Sequence, residues 1–242
     1  MRSEIPEDYY TSQKSRLLKD FDKAAKRMKG VLPRYCGDET DTMISEARRE
    51  YEALIPQMPY IGGKQPFTQF IIGTAWYLAL YRVFTAHGKT LEETGEIIYK
   101  VTESYMRAYP GFVHRLLGRR IFTRRYQEEG RKRAEASQRR EYPGDYVYDF
   151  IEGDGKEFDF GIDYSECGSC KLLAAQGAPE LARYVCSADL AYSEALGWGL
   201  TRTMTLAEGA AKCDFRFKKG GETRVNLPED LRRRLEHDDR DP

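Results

Sequence analysis

Two periodicities divide the chain. Up to about residue 141, apolar residues recur at spacings of three and four, as on one buried helix face; after Tyr142-Pro143-Gly144 they alternate in twos, as in strands with one face inward. The first part reads as helices over residues 7–29 and 38–54, the second capped by Asp38 or Thr40 and ended by Pro56. A third begins at "KQPFTQF", where Pro66 suits a first turn, and runs to about Ala86 before His87-Gly88. A fourth starts at Thr90, because "TLEE" is a capping box, and ends near Tyr109-Pro110-Gly111. Residues 112–141 form one long helical stretch dense in arginine.

The second part opens with "YVYDFIEGDGKEFDFGIDY", two alternating runs around a glycine-containing turn. Phe158, Phe160, Ile162 and Tyr164 share one face while Asp159 and Asp163 take the other, which predicts a hairpin. A second strand pair spans residues 200–205 and 212–218, joined through "LAEGAA". Between the pairs, "APELARYVCSADLAYSEALGWG" reads as a helix with Pro179 near its start and Gly197 or Gly199 at its end. The expected fold class is α+β: a helical N-terminal part packed with a C-terminal antiparallel sheet of about four strands, in hairpin-helix-hairpin order. Residues 1–141 would be the helical region and 142–242 the α+β region, as two units or one continuous domain.

Charge narrows the partners. Lys+Arg 39 balances Asp+Glu 39, so nothing global favours a nucleic acid or an anionic membrane, and a small-molecule substrate is the expected partner. A homo-oligomer stays open. The arginine-rich stretch could contact phosphate, but at zero net charge it fits better as a solvated helix pairing with Glu128, Glu129 and Glu135. "MRSEIPEDYY" lacks the apolar centre of a secretory signal, and the apolar run from Phe70 to Phe84 carries Arg82 and is too short to span a bilayer. A buried helix and a cytoplasmic protein are the expectation.

Candidate chemistry lies in the second part, which holds four of the five cysteines: Cys167, Cys170, Cys186 and Cys213. Without an export signal they are expected as free thiols rather than a disulfide framework. On the connecting helix Cys186, Asp189, Ser193 and Gly197 fall on one stripe, with Glu194 on the same half at ideal helical pitch. A thiol between carboxylates is either a small core residue or part of a site. In "AKCDFRFKKGG", Cys213, Phe215 and Phe217 share the face expected inward, and Asp214 and Arg216 share the other as an ordinary surface pair. Arg202 alternates in phase with Leu200 and Met204, so it points inward and is either a carboxylate clamp or an edge arginine reaching solvent. "ECGSC" also raises zinc on Cys167, Cys170, Cys186 and Cys213, although the last two are isolated and no histidine is near. No cofactor is the main expectation.

The C-x2-C followed by "PEL", the helix with Cys186, Asp189 and Glu194, the "RTMTLAEG" segment and the terminal "CDFRF" together resemble the L-2-amino-thiazoline-4-carboxylic acid hydrolase family. The resemblance implies a hydrolase that opens a cyclic isothiourea or related amidine, giving N-carbamoyl-L-cysteine in the family. It implies catalytic candidates at Cys186, Asp189, Glu194 and Cys213, and substrate contacts at Arg202, Arg216, Asp214 and Glu208. Cys186 would act as nucleophile, or a carboxylate would activate water. The competing reading is a non-catalytic small-molecule or cysteine-metal module, similar at the level of fold to vinyl-reductase-type domains.

Overall fold

A computed structural model of the protein describes residues 8–238. Helices α1 (Lys14–Met28), α2 (Pro33–Cys36), α3 (Thr40–Leu54), α4 (Thr68–Ala86), α5 (Leu91–Arg107), α6 (Gly111–Arg120) and α7 (Arg124–Ser137) precede the sheet. Strands β1 (Val147–Glu152) and β2 (Phe160–Glu166) lead into α8 (Gly168–Ala175), α9 (Ala182–Val185) and α10 (Ala188–Leu196). Then come β3 (Leu200–Arg202), β4 (Cys213–Phe217), β5 (Arg224–Val225) and α11 (Glu229–Asp238). The fold is α+β.

The helices form because their apolar residues share a face. On α1 the buried Leu17, Leu18, Phe21, Ala24, Ala25 and Met28 follow the spacing read from the sequence. Helix α4 is apolar on most sides and packs against α3, α5 and α8, so it is the central rod of the protein. Helix α5 starts at the capping box: Glu93 N–H donates to Thr90 Oγ1, and Thr90 N–H donates to the Glu93 carboxylate. The core runs without a break from Phe21, Tyr51 and Leu78 to Tyr146, Leu172 and Leu181, so residues on both sides of position 141 are buried together.

The arginine-rich stretch is two helices, separated where Thr123 caps α7 by accepting from Tyr126 N–H. Several of its arginines are paired, Arg124 with Glu128 at 2.7 Å, Arg125 with Glu129 at 3.1 Å, and Arg131 with Glu152 of β1 at 2.5 Å, whereas no ion pair is seen for Glu135 among the described residues. No helix among the described residues is long and apolar enough to cross a membrane.

The sheet runs β1-β2-β4-β3-β5, antiparallel except for the parallel β3–β5 pair. The two-residue β5 is too short to leave an alternation in the sequence, so the expected four antiparallel strands become five in a mixed sheet. Register sets Phe160 opposite Phe217, Ile162 opposite Phe215 and Tyr164 opposite Cys213. These residues, with Tyr148 and Leu200, form the face that the helices cover. At the β1 edge, Tyr148 N–H donates to Ser137 Oγ at 3.1 Å, and Gln138 Nε2 donates to the Tyr148 carbonyl at 3.0 Å, so the end of α7 takes both main-chain groups.

The helix expected over residues 178–199 is broken. A 3-10 turn (Pro179–Leu181) leads into α9, and Cys186-Ser187 link α9 to α10. Across the link the hydrogen bonds are three residues long: Ser187 to Tyr184, Asp189 to Cys186 and Leu190 to Ser187, at 3.1, 3.3 and 3.1 Å. Such tighter winding advances the chain by about 120° per residue rather than about 100°, which rotates everything beyond it out of phase with Cys186. Gly197, at φ +65°, closes α10 in the left-handed conformation.

One contact fixes the seat of α5 on α9. A Cβ built on Gly95 would lie 2.0 Å from the ring of Tyr184, which is fully buried and donates through its hydroxyl to Asp230. Gly→Ala inside a helix ordinarily gains about 1 kcal/mol. Here the ring cannot withdraw, so Gly95→Ala is expected to cost about 1–3 kcal/mol by overpacking, read as a lower urea midpoint. An unchanged or raised midpoint would show that Tyr184 repacks.

Candidate functional site

The inward side of the sheet meets α4, α8 and the α9–α10 link around Arg202. This guanidinium, 2% exposed, donates Nη1 to the Cys186 carbonyl at 2.9 Å and to Asp189 Oδ2 at 2.5 Å. Nε donates to Asn226 Oδ1 at 3.0 Å, and Nη2 to the Asn226 carbonyl at 2.9 Å. Four of the roughly five N–H donors of an arginine are therefore filled by protein oxygens. The ring of Phe215 lies beneath the group, 5.7 Å from centroid to Cζ. Arg202 is inward, as its alternation predicts, and it closes the junction of α9, α10, β3 and the segment after β5.

Asp189 opens this junction toward a cleft. Burial pushes its carboxyl above the ordinary aspartate range, against the opposing pull of Arg202, yet 27% of the side chain remains reachable by water. It therefore sits at a partly open recess among packed neighbours. The same combination holds for its neighbours. Tyr77 and Tyr164 are half-buried with phenols raised by burial; Tyr192 is raised first by Tyr77 and then by burial. The Tyr77 hydroxyl shares a 2.7 Å hydrogen bond with Thr102 Oγ1.

The thiols gather at the same recess. Cys186 is half-buried, and burial raises its thiol far above the usual range, with the nearby Cys167, Asp189 and Cys213 adding to the effect. Cys213 is buried, its thiol is pushed up to about 11 mainly by burial, and its Sγ accepts from Leu206 N–H at 3.2 Å. Cys167 is raised first by its contact with Cys170 and then by burial. Cys186 and Cys213 thus lie on the same side of the sheet. All five cysteines are free thiols. Among the described residues no group of three or more His, Cys, Asp or Glu side chains converges to hold a metal ion, the set Cys167, Cys170, Cys186 and Cys213 included.

Other candidates lie elsewhere. Glu194 is exposed, because the overwound link turns it away from Cys186. Asp214 and Arg216 occupy the outward face of the sheet and do not pair with each other. Asp214 accepts from Thr203 N–H, Thr203 Oγ1 and Met204 N–H at 2.8, 2.6 and 2.8 Å, and these bonds hold its carboxyl below the usual range despite burial. Arg216 binds Asp163 at 2.7 Å, beside Lys212 at 2.6 Å. Nearest-neighbour pairing along one strand loses here to the cross-strand diagonal and to a turn that needs an acceptor. Glu208 is exposed and accepts from Thr205 Oγ1 at 2.9 Å and from Asn226 Nδ2, so it reaches Arg202 only through Asn226. Asn226, Tyr77 and Tyr192 escape the sequence reading: Asn226 stands in a patternless segment, and Tyr77 is hidden in an apolar run.

Helices over one face of a mixed sheet, with a carboxylate held by a buried arginine, define an α+β protein. The profile of the L-2-amino-thiazoline-4-carboxylic acid hydrolase family matches residues 69–217, more than half of the chain, and the chain belongs to that family. The family assigns it in general terms to the hydrolases. Comparison with curated proteins and with solved structures gives no match.

Removing the guanidinium should be costly. Arg202→Met strands the Asp189 carboxylate, the Cys186 carbonyl and Asn226 without a donor, and is expected to lower the unfolding free energy by about 3–5 kcal/mol at neutral pH. Urea denaturation checks this; a loss below about 1 kcal/mol would mean that water replaces the arginine.

Proposed function

We propose that the protein hydrolyses the ring of a cyclic isothiourea or related amidine, with L-2-amino-thiazoline-4-carboxylate the substrate the family name points to, by water activated at Asp189. The observation that carries this reading is the pairing of a raised but water-accessible carboxylate with the buried Arg202. Raised above the ordinary aspartate range, Asp189 is a stronger base than a solvated carboxylate and can take a proton from water and return it. Arg202 acts as a positioning residue, fixing the carboxylate and opposing the effect of burial on it.

The step balances without a cofactor. Water adds its oxygen to the amidine carbon, and Asp189 takes one proton. The carbon–sulfur bond then breaks, the sulfur leaves with its electron pair, and the proton held by Asp189 neutralises it. Once the second water proton has moved to the ring nitrogen, the products are a carbamoylated amine and a free thiol. The phenols of Tyr77 and Tyr192, protonated at neutral pH, offer donors to the departing groups.

Covalent catalysis by Cys186 is the weaker version. Its thiol is held far above the usual range, first by burial and then by neighbouring thiols and Asp189, so little thiolate exists at neutral pH. Cys213, raised to about 11, is in the same position. Both serve as walls of the cleft, and Glu194, Arg216, Asp214 and Glu208 have no direct part in this version.

Thiol release from aminothiazoline carboxylate, followed with a chromogenic disulfide, is the assay. Asp189→Asn is expected to lower kcat by about 10²-fold or more, whereas Cys186→Ala keeps most of the activity. The base works only when ionised and its pKa is raised, so the acid limb of kcat/KM should lie above the ordinary aspartate range, with activity lost as pH falls through it. Full turnover by Asp189→Asn, or total loss in Cys186→Ala with the fold intact, would overturn the water mechanism.

A further inference from the structure

A second cavity, of about 560 Å³, lies between α1, α4 and α5 and has no part in the proposed reaction. Its floor and one wall are apolar and aromatic: Leu17, Ile72 and Trp76, with Tyr105 and Tyr109 at the rim. The opposite wall is α1, which brings Arg16, Lys23, Lys26 and Arg27 against a single carboxylate, Asp20. Asp20 is taken by Lys23 at 3.1 Å. No carboxylate among the described residues pairs with Arg16, Lys26 or Arg27, although Arg16 donates to Gln13 Oε1, in a protein whose charges as a whole sum to zero.

Arg27 is the organised member of this set. Its guanidinium lies over two rings at once, 4.6 Å from the centroid of Tyr105 and 4.8 Å from that of Tyr109. The rings are locked to each other, since the Tyr109 hydroxyl donates to the Tyr105 oxygen at 2.9 Å. Stacking satisfies the faces of the guanidinium and the Tyr109 and Tyr105 hydroxyls take part of its edge, while its remaining donors match a carboxylate or phosphate. A fixed arginine edge beside unneutralised Arg16 and Lys26 is an anion receptor whose ordering cost is met before any ligand arrives.

We infer that this cavity binds a small organic anion with a flat apolar body, the acid group meeting Arg27 and Lys26 and the body lying against Trp76, Ile72 and Leu17. Its volume suits a ligand of metabolite size. The site differs from the Asp189 cleft: Tyr77, the next residue after Trp76, turns to Thr102 instead. The α1 wall also lies outside the 69–217 segment that the family profile matches.

The chain has 2 tryptophans, and the other, Trp198, packs against Phe217 beyond the sheet, so Trp198→Phe leaves Trp76 as the only indole reporter. Titrating this full-length variant with benzoate should change its fluorescence saturably, and the affinity should fall as salt rises. Arg27→Gln in the same background should weaken binding about tenfold or more, and the exposed Lys26→Gln, which threatens no packing, several-fold. Neutral benzamide, and inorganic phosphate without the apolar body, should both bind more weakly than benzoate. Absence of saturable binding, binding unaltered in both variants, or benzamide or phosphate equal to benzoate would overturn the assignment. Asp189→Asn should leave the benzoate titration unchanged, so failure here is distinguishable from failure of the hydrolytic reading; loss of binding in that variant would show the two cavities to be one.

Discussion

The structure depends on what surrounds one buried cation. An arginine at 2% exposure is tolerable only if its donors are met, and Arg202 is met by a helix-end carbonyl, a carboxylate, and the side chain and main chain of Asn226. Those four oxygens come from three residues, Cys186, Asp189 and Asn226. Satisfying the charge therefore fixes where α9 ends, where α10 begins, how β3 lies, and where the chain passes after β5. A break in a helix, which ordinarily leaves main-chain groups unpaired, is here the source of the carbonyl that Arg202 needs. Glu208 extends the arrangement outward by holding Asn226, so a surface carboxylate contributes to the order of a buried one.

The same arrangement explains how a carboxylate can be both desolvated and ionisable. Burial alone would neutralise Asp189, and Arg202 alone would make it a weak base. Opposed, the two influences leave it raised, with burial the larger, and still reached by water. The thiols around it have no cation placed to favour their charged form to the same degree, and they remain apolar walls. Asymmetry of partners, rather than the nucleophilicity of sulfur, assigns the roles in the cleft.

Much of this was legible in the chain. The α1 and α3 stripes, the Thr90 capping box, the β1–β2 hairpin and the inward phase of Arg202 follow from period and from local chemistry with short reach. What was not legible depends on winding and on distant partners. Glu194 was aligned with Cys186 by assuming uniform helical pitch, and three short hydrogen bonds at the link overturn that assumption. Asp214 and Arg216, two residues apart, were read as a pair, whereas each finds a better partner that only the folded sheet supplies: the Thr203 turn and Asp163. Asn226 offers no pattern at all, because its role depends on where another element's arginine ends.

The coverage of β1 by α7 has a consequence for the company this protein keeps. An uncovered edge strand presents main-chain donors and acceptors to any extended peptide, and is the usual route by which sheets recruit foreign strands. Here Ser137 and Gln138 already occupy both groups of Tyr148, and at the opposite edge the ladder ends with two residues of β5. The β1 edge is thus interrupted at Tyr148 by side chains, and the opposite edge is kept to two residues, so neither offers a long run of open main chain.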